Sequence, residues 1–431
     1  MANFIQDFKR KIKSKDIKIA VVGLGYVGLP LAIEFAKKGL SVLGIEIDRD
    51  RLQHLNNKES YITDVASRDL RRVFATGRFV ARGDFKALRE VDVIIICVPT
   101  PLKRKYHTNI SYIKHAVRQI AKNIRSGTLV VLESTTYPGT TEEVILPLLQ
   151  QNGLRHGRDF YLSFSPERID PNNRHFPVSK IPKVVGGLTP QATLLTELVY
   201  KNIINKVVPV SSARVAEAAK LLENTFRLIN IGLIDEMAMM AHKMHIDIWE
   251  VIEAARTKPF GFMPFYPGPG VGGHCIPKDP LYLYWKARLH GFKSRFIKLA
   301  SDVITSMPEY IAERVGGLLK PKAKILVLGV TYKKDVKDLR KSPALDIIDI
   351  LQRKGFSVSY HDPLIPYLRL NHIINLRSIE LTKSGLAKFG CVIIATDHSS
   401  VDYDFLLRNS RLIFDARNVY SRLNNSKVVR L

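Results

Sequence analysis

Short apolar stretches alternate with helical patterns through the first two hundred residues. Residues 17–22 and 41–46 are short and mainly apolar, and residues 93–98 are apolar throughout. Buried parallel strands have this nearly continuous apolar character. A helical pattern separates the first two stretches and extends from Leu29 to about Lys38. The alternation of strand and helix predicts a doubly wound α/β domain.

The pattern changes after residue 210 and returns at about residue 320. A long helical stretch follows Ser211, which we expect to be its N-cap, and ends near His245. Residues 279–319 are also helical in pattern, and strand patterns resume in the last hundred residues. The expected architecture is α/β, with two Rossmann-like doubly wound domains joined by a long helix and a helical central domain. The predicted boundaries are 1–210, 211–319 and 320–431.

A glycine-rich turn follows the first predicted strand. Gly23, Gly25 and Gly28 have the G-x-G-x-x-G spacing, with Tyr26 and Val27 between the last two. A strand precedes the motif and a helix follows it, which is the context of a dinucleotide-binding turn. The helix N-terminus there would face a pyrophosphate.

The end of the second strand indicates which dinucleotide binds. Glu46 lies about twenty residues beyond the glycines, where a carboxylate accepts hydrogen bonds from the adenosine ribose and repels a 2′-phosphate. Arg51 is close in sequence and would accept such a phosphate. NAD is therefore favoured over NADP, while Arg51 keeps the alternative open.

Polar side chains follow several later strands of the same domain. Pro99 and Thr100 follow one strand, Glu133 and Thr135 the next, and Glu167 another. Ligands of open α/β sheets bind outside the carboxyl ends of the strands. We therefore expect these residues near the nicotinamide, although each alone would also suit an ordinary turn.

The most unusual stretch is the Gly/Pro-rich segment 267–280. Four glycines and four prolines prevent regular structure there and permit close approach of backbone to a ligand. Cys275, Lys278 and Asp279 supply a nucleophile, a cation and a possible base within five residues, the combination that covalent catalysis needs. A structural loop with an incidental cysteine is the alternative.

Two further pairs of polar residues are candidates for a site. Lys220 and Asn224 are four residues apart on the long helix, so they share a face and suit stabilisation of an oxyanion. Lys333 and Arg340 follow the first strand of the last domain and could hold phosphates. A solvated helix face and a charged surface loop are the respective alternatives.

Charge and cysteine content limit the partners and the compartment. The 431 residues carry a net charge of +26, spread along the chain. A lineage-wide lysine bias is favoured as its source, with attraction to a phosphate-rich ligand as a contributor, over binding to nucleic acid or to an anionic membrane. No zinc-ligand spacing is present, so no metal is expected. Three cysteines, no apolar run long enough to span a bilayer, and a start unlike a signal peptide favour a cytoplasmic protein without membrane insertion.

Six ordered motifs give the chain a family resemblance. It resembles the UDP-glucose/UDP-N-acetylhexosamine 6-dehydrogenases over nearly its whole length. The motifs are Gly23–Gly28, residues 133–141, Ser165–Arg168, Lys220 with Asn224, Gly268–Pro280 and Tyr332–Pro343. The segment Thr257–Pro267, His274 before the cysteine, and Pro-Glu-Arg at 166–168 resemble the branch that acts on UDP-N-acetylglucosamine.

The resemblance implies a four-electron oxidation of a sugar C6 alcohol to a carboxylate with two NAD. Cys275 would form a thiohemiacetal and then a thioester, with Asp279 and Glu167 activating water and Lys220 and Asn224 stabilising oxyanions. Thr135 would belong to the catalytic group, and Arg340 is a candidate for the cofactor as well as for UDP. The remaining substrate contacts implied are Arg168, Arg256, Phe265, Tyr266, Gly272, Lys333 and Arg417. A homodimer or larger homo-oligomer, formed through the long helix, is expected.

Three positions depart from the family pattern. Lys278 is more typical of the branch that acts on UDP-glucose, so UDP-glucose, UDP-N-acetylmannosamine and UDP-N-acetylgalactosamine stay open as substrates. Ile304 and Lys341 replace a usual Asn and Glu.

Two alternatives from other functional classes stay open. One is a simple β-hydroxyacid dehydrogenase, which needs neither the cysteine loop nor a second nucleotide domain. The other is a non-catalytic nucleotide- or nucleic-acid-binding protein.

Overall fold

The computed structural model describes residues 2–62, 65–101, 109–168, 176–370, 374–421, 423 and 425–431. The chain divides into two compact units. Unit 1 comprises Met1–Glu223 and Trp285–Phe292, and unit 2 comprises Asn224–Tyr284 and Lys293–Leu431. Within the described ranges, no helix is both long enough and apolar enough to cross a membrane.

Unit 1 is built on an eight-stranded sheet. Its strands are β1 (Lys18–Val22), β2 (Ser41–Ile45), β3 (Phe79–Arg82), β4 (Val93–Ile96), β5 (Thr128–Leu132), β6 (Phe160–Phe164), β7 (Lys183–Gly187) and β8 (Val207–Pro209). The order in the sheet is β3-β2-β1-β4-β5-β6-β7-β8. The pairs from β3 to β6 are parallel, and β7 runs antiparallel to β6. The order reverses between β1 and β4, where ligands of doubly wound sheets bind.

Helices cover the sheet of unit 1. They are α1 (Ala2–Ser14), α2 (Gly28–Lys37), α3 (Arg49–Asn56), α4 (Ser67–Ala75), α5 (Ser111–Ala121), α6 (Leu146–Leu149) and α7 (Pro190–Tyr200). Short 3₁₀ turns occupy Lys86–Glu90, Gln150–Asn152 and Val178–Lys180, and Thr141–Ile145 is a π-helical turn. Every residue of β4, β5 and β6 is buried, as expected for strands with helices on both faces.

Four helices follow the first sheet. They are α8 (Ala213–Lys243), α9 (Ile248–Arg256), α10 (Asp279–Leu289) and α11 (Arg295–Gly317). The N-cap of α8 differs from the prediction, because the backbone N–H of Val215 donates to Oγ of Ser212 at 3.3 Å. Adjacent serines are equivalent by propensity, and only the start of the helix at Ala213 selects Ser212 over Ser211.

Unit 2 contains a second doubly wound sheet. Its strands are β9 (Lys324–Leu328), β10 (Ser357–His361), β13 (Cys391–Ile394), β14 (Ile413–Asp415) and β15 (Val428–Arg430), in the order β10-β9-β13-β14-β15. Neighbouring strands in this sheet are parallel. Helices α12 (Pro343–Arg353), α13 (Lys383–Leu386) and α14 (Tyr403–Asn409) and the antiparallel pair β11 (Tyr367–Leu370) and β12 (Ile374–Arg377) complete it. The predicted fold class is confirmed.

Candidate active site

Two glycines of the glycine-rich turn in unit 1, Gly25 and Gly28, are required for different reasons. A Cβ on Gly28 would lie 1.9 Å from the Gly23 carbonyl oxygen, so the close contact of α2 with the turn requires glycine there. Among the described residues, a Cβ on Gly25 would meet only Nη1 of Arg51, at 4.0 Å. No atom of the described part of the chain therefore excludes a side chain at Gly25. The space above its backbone, at the N-terminus of α2, suits a pyrophosphate.

Alanine substitutions at these two glycines distinguish the packing requirement at Gly28 from the ligand-binding requirement at Gly25. We expect Gly28→Ala to lose both folding stability and NAD binding, because overpacking of this kind costs about 1–3 kcal/mol. Gly25→Ala should unfold at the wild-type temperature and bind NAD at least about tenfold more weakly, a loss of about 1.4 kcal/mol. Thermal unfolding and NAD titration calorimetry measure both quantities. Equal destabilisation of the two variants would contradict this account of the turn.

Glu46 lies at the end of β2 beside the glycine-rich turn. It is buried, and its carboxylate accepts hydrogen bonds from the backbone N–H groups of Leu24 at 3.1 Å, Ile47 at 2.9 Å and Asp48 at 3.1 Å. The Leu24 contact ties the carboxylate to the turn itself. The Arg51 guanidinium lies 3.7 Å from Glu46 and 3.9 Å from Asp48. Arg51 therefore faces two carboxylates, and the site fits the uncharged ribose of NAD.

The loops after β4 and β5 complete the carboxyl edge of the sheet at the order reversal. Pro99 is exposed and Thr100 is buried. Oγ of Ser134 donates to the Val98 carbonyl at 2.7 Å, so the two loops are joined. Thr135 is half-buried next to this contact. The structure thus brings together the loops that carry Thr100 and Thr135, and their place near the nicotinamide stays a prediction.

A buried carboxylate on α8 holds the continuation of this loop. Glu217 accepts hydrogen bonds from the backbone N–H of Gly139 at 2.5 Å, the backbone N–H of Thr141 at 2.9 Å and Oγ1 of Thr141 at 2.7 Å. Burial raises the pKa of Glu217 to about 7, although these hydrogen bonds oppose the shift. Local sequence patterns do not reveal this role, because the partners lie 76 and 78 residues away.

The raised pKa of Glu217 predicts a pH dependence of stability. Its folded-state pKa lies above the ordinary value of 4.5, so its ionisation destabilises the fold as pH rises from about 4.5 to about 7. Relative to Glu217→Gln, the wild type should lose about 2–3 kcal/mol of unfolding free energy across this window. Urea unfolding at pH 5 and 7.5 measures the difference, with the exposed Glu142→Gln as control. Parallel pH curves for wild type and Glu217→Gln would refute the assignment.

A buried group of charges lies where β5, β6 and β7 meet. Nζ of Lys183 is 2.8 Å from Oε2 of Glu133 and 3.8 Å from Oε2 of Glu167. Burial raises the pKa of Glu133, with Lys183 opposing the shift. Burial lowers the pKa of Lys183, but the two carboxylates outweigh it and the net shift is upward. Lys183 was not among the predicted site residues, and a lysine at the start of an apolar strand was the only signal for it.

Arg168, next to Glu167, is engaged within unit 1. Its Nη1 donates to the Pro182 carbonyl at 2.7 Å, and its Nη2 lies 2.7 Å from the Glu223 carboxylate. These contacts hold Arg168 and Glu167 against the start of β7. The predicted substrate contact of Arg168 stays a prediction.

In unit 2, the segment 267–280 carries an exposed thiol. Cys275 is exposed, and its carbonyl accepts hydrogen bonds from the backbone N–H groups of Lys278 at 3.1 Å and Asp279 at 2.8 Å. This turn leads directly into α10. Cys275 therefore stands at the N-terminal end of a helix, where the peptide dipoles favour negative charge. Cys97 and Cys391 are buried in or beside strands, as predicted.

The two charged residues after Cys275 are buried and paired. Asp279 accepts a hydrogen bond from Nδ2 of Asn224 at 2.7 Å. Nζ of Lys278 lies 3.0 Å from Nδ1 of His274, and burial lowers the pKa of Lys278. Burial, followed by the Lys278 charge, lowers the pKa of His274 to about 4, so the imidazole is neutral at pH 7 and can accept from the ammonium. Lys220 is also buried, one helical turn before Asn224.

The glycines of this segment pack against the loop that follows β9. A Cβ on Gly272 would lie 2.5 Å from Cβ of Tyr332, and the backbone N–H of Gly273 donates to the Arg340 carbonyl at 2.8 Å. Gly268 donates to Asp235, a buried carboxylate whose pKa burial raises to about 7. The cysteine segment and the predicted phosphate loop are therefore neighbours within unit 2.

The predicted UDP contacts lie at several places in unit 2. Lys333 is half-buried, and Arg340 is exposed and paired with Asp338 at 2.6 Å. Nε of Arg417 donates to the Ala395 carbonyl at 2.8 Å, after β13, which is one side of the order reversal between β9 and β13. Arg256 is paired with Glu253 at 2.8 Å. Their roles toward a ligand stay predictions.

Two aromatic residues of the predicted substrate set pack on the helices of unit 2. The Phe265 ring makes an edge contact with Phe226 at 5.8 Å between centroids. The Tyr266 ring stacks on Trp249 at 6.1 Å, and its hydroxyl donates to Glu253 at 2.9 Å. The segment before the cysteine is therefore held by α8 and α9.

Comparison with known proteins covers nearly the whole chain. Three models of the UDP-glucose/GDP-mannose dehydrogenase family match it: the NAD binding domain at residues 17–204, the central domain at 214–304 and the UDP binding domain at 326–422. A UDP-N-acetyl-D-glucosamine 6-dehydrogenase of Pseudomonas aeruginosa is 37% identical over 393 residues, covering 89% of this chain and 91% of the relative.

Two further similarities come from Pyrococcus horikoshii. A UDP-N-acetyl-D-mannosamine dehydrogenase is 36% identical over 417 residues, covering 94% of this chain and 96% of the relative. The solved structure of a UDP-D-ManNAc dehydrogenase superposes with a TM-score of 0.87 at 32% identity, covering 96% of this chain and 99% of that one. The resemblance and the NAD prediction are confirmed. The chain belongs to the UDP-glucose/GDP-mannose dehydrogenase family and is an NAD-dependent UDP-sugar dehydrogenase.

Proposed function

We propose that the protein oxidises the C6 alcohol of UDP-N-acetylglucosamine to the uronic acid through a covalent intermediate on Cys275. The observation that carries the proposal is the exposed thiol at the start of a helical turn, next to the buried Asp279–Asn224 contact. A thiolate there would be favoured by the helix N-terminus and would be the nucleophile. Bound NAD supplies the hydride acceptor for both oxidations.

Different residues of the chain carry out proton removal, nucleophilic addition, oxyanion stabilisation and water activation. Asp279, acting through water, removes the hydroxyl proton in the first oxidation, since Asn224 orients its carboxylate. The Cys275 sulfur then adds to the aldehyde carbon, and Lys220 and Asn224 stabilise the oxygen that becomes negative. After the second oxidation the carbon is a thioester. Water activated by Glu167 or Asp279 adds to it, the C–S bond breaks, and the acid leaves. Thr135 belongs to the same catalytic group.

The second doubly wound sheet supports a site for the UDP group. Its order reverses between β9 and β13, and the loop after β9 carries Lys333 and Arg340. Phosphate oxygens prefer such ammonium and guanidinium partners. We propose that Lys333, Arg340 and Arg417 contact UDP, and that Arg168, Arg256, Phe265, Tyr266 and Gly272 contribute the remaining sugar-nucleotide contacts.

The N-acetylglucosamine assignment rests on His274 and the segment Thr257–Pro267. Relatives of similar identity are named for the gluco and the manno epimers, so direct comparison of substrates is required. We expect the highest kcat/KM with UDP-N-acetylglucosamine, and lower values with UDP-N-acetylmannosamine, UDP-N-acetylgalactosamine and UDP-glucose. A higher kcat/KM for the manno epimer or for UDP-glucose would overturn the assignment and leave the reaction type intact.

We also propose a homodimer that forms through α8. Phe226, Leu233 and Met240 are exposed by 48%, 55% and 47% and recur every seven residues, so they form one apolar stripe along the helix. Burial against a second copy would remove this stripe from water. Sedimentation of a monomer at assay concentrations would contradict the dimer.

A cytoplasmic location is proposed from the three free cysteines, and no nucleic-acid partner is proposed.

A further inference from the structure

The reversed strand of the first sheet delivers a cation to the ligand edge. Strand β7 runs antiparallel to β6, with Phe164 opposite Gly186. Beyond this pair, Oγ of Ser165 donates to the Val184 carbonyl at 2.9 Å, and Glu167 lies beside Lys183. A parallel strand would have placed its first residue at the opposite edge. Because of the reversal, the first residue of β7 lies where β5 and β6 end.

The Lys183 ammonium is surrounded by groups that fix it in place. It is 2.8 Å from Oε2 of Glu133 and 5.1 Å from the centroid of the Tyr200 ring. The Tyr200 hydroxyl in turn donates to Oε1 of Glu133. Lys183, Glu133 and Tyr200 are exposed by 6%, 1% and 0%. Buried charges persist only when they are paired and hydrogen-bonded, and Glu133 supplies that partner for Lys183.

The same ammonium also faces the proposed water-activating carboxylate. Oε2 of Glu167 lies 3.8 Å from Nζ of Lys183, while Oε1 accepts a hydrogen bond from the backbone N–H of Arg168 at 2.6 Å. The two carboxylate oxygens of Glu167 therefore face different groups: a backbone N–H that donates to Oε1, and a cation 3.8 Å from Oε2. Together these groups favour one orientation of the carboxylate.

We propose that Lys183 is a positioning residue that orients Glu167 for hydrolysis of the Cys275 thioester. The inference rests on the proposed function. In this step Glu167 takes a proton from water, the water oxygen bonds to the acyl carbon, and the C–S bond breaks with its electrons moving to sulfur. No oxidant or reductant is consumed. The pair Glu133–Tyr200 keeps the ammonium in place, so Glu167 can change its protonation state without losing its neighbour.

A purely structural role is the competing explanation, because the cluster also joins β5, β6 and β7. Lys183→Met alone would leave Glu133 buried without its cation, which strongly destabilises a fold. The double variant Lys183→Met with Glu133→Gln removes both charges of the buried pair at nearly constant volume. Because no unpaired buried charge is left, the double variant tests the loss of the ammonium in a protein that is expected to fold.

The experiment follows the intermediate directly. The double variant, Lys183→Arg, the wild type and the control Lys11→Met are mixed with UDP-N-acetylglucosamine and NAD, and rapid quenching with intact-protein mass spectrometry measures the acyl adduct on Cys275. Lys11 is a matched control, since it pairs with the buried Asp92 at 2.9 Å before β4, at the opposite edge of the sheet. Steady-state kcat and both KM values are measured in parallel.

We expect the double variant to accumulate the adduct and to lose about a hundredfold in kcat, the lower end of what a positioned general base contributes. Lys183→Arg should accumulate less adduct than the double variant, because it keeps a positive charge beside Glu167. Wild-type turnover by a double variant without adduct would overturn the inference. So would equal losses in Lys11→Met. Absence of turnover in the wild type would instead reject the proposed function.

Discussion

The Cys275→Ser enzyme should form no sugar acid and should bind NAD with wild-type affinity. A serine hydroxyl is not ionised at neutral pH, so it adds to an aldehyde far less readily than a thiolate. Without the thiohemiacetal, the second oxidation lacks its substrate, and at most one hydride per sugar can be transferred. The exposure of Cys275 means that the change removes no packing from the interior. Product analysis by chromatography and NAD titration measure the two outcomes.

A second cysteine provides the control for this experiment. Cys391 is fully buried in β13, so Cys391→Ala changes a thiol far from any proposed chemistry. We expect that variant to form acid at close to the wild-type rate. Acid formation by Cys275→Ser at a comparable rate would exclude a covalent role for Cys275.

Replacement of Lys220 by alanine is expected to have the second largest effect. If its ammonium stabilises the alkoxide and the tetrahedral oxyanion, its loss removes an interaction made in the transition state, worth about 3–4 kcal/mol or 10²–10³ in kcat. The KM for the UDP-sugar should change by less than about threefold, because such an interaction contributes little to ground-state binding. Steady-state kinetics with both substrates separates these quantities.

A lysine at the other end of the same helix is the matched control for Lys220. Lys243 is exposed in the last turn of α8, and Lys243→Ala should leave kcat and both KM values unchanged. If Lys220→Ala raises KM for the UDP-sugar and leaves kcat intact, its role is binding and the oxyanion assignment is wrong.

The parts of the site that depend on local chain order were predictable from sequence. The turn at Gly23–Gly28 and the carboxylate of Glu46 lie within one strand-helix-strand unit, so spacing alone identifies them. The second doubly wound sheet was recognisable for the same reason. Apolar strand patterns resume at β9 and again alternate with helical patterns.

Contacts between distant parts of the chain were not predictable in this way. Lys183 reaches Glu133 and Glu167 only because β7 runs antiparallel, and no local pattern records strand direction. The same holds for Glu217, whose partners are fixed by packing of α8 on the loop after β5. A lysine at the start of an apolar strand was the one available signal for Lys183, and the sequence held no signal for the contacts of Glu217. The sequence predicts the strand or helix in which each of these residues lies, whereas their hydrogen-bond and ion-pair partners depend on the tertiary structure.

The central claim is that one UDP-sugar is oxidised twice with Cys275 as the covalent nucleophile. The most direct test is the yield of NADH per UDP-N-acetylglucosamine consumed to completion by the wild-type enzyme. The account predicts two NADH for each sugar, with the uronic acid as the product. One NADH for each sugar, with an aldehyde as the product, would contradict the covalent route through Cys275.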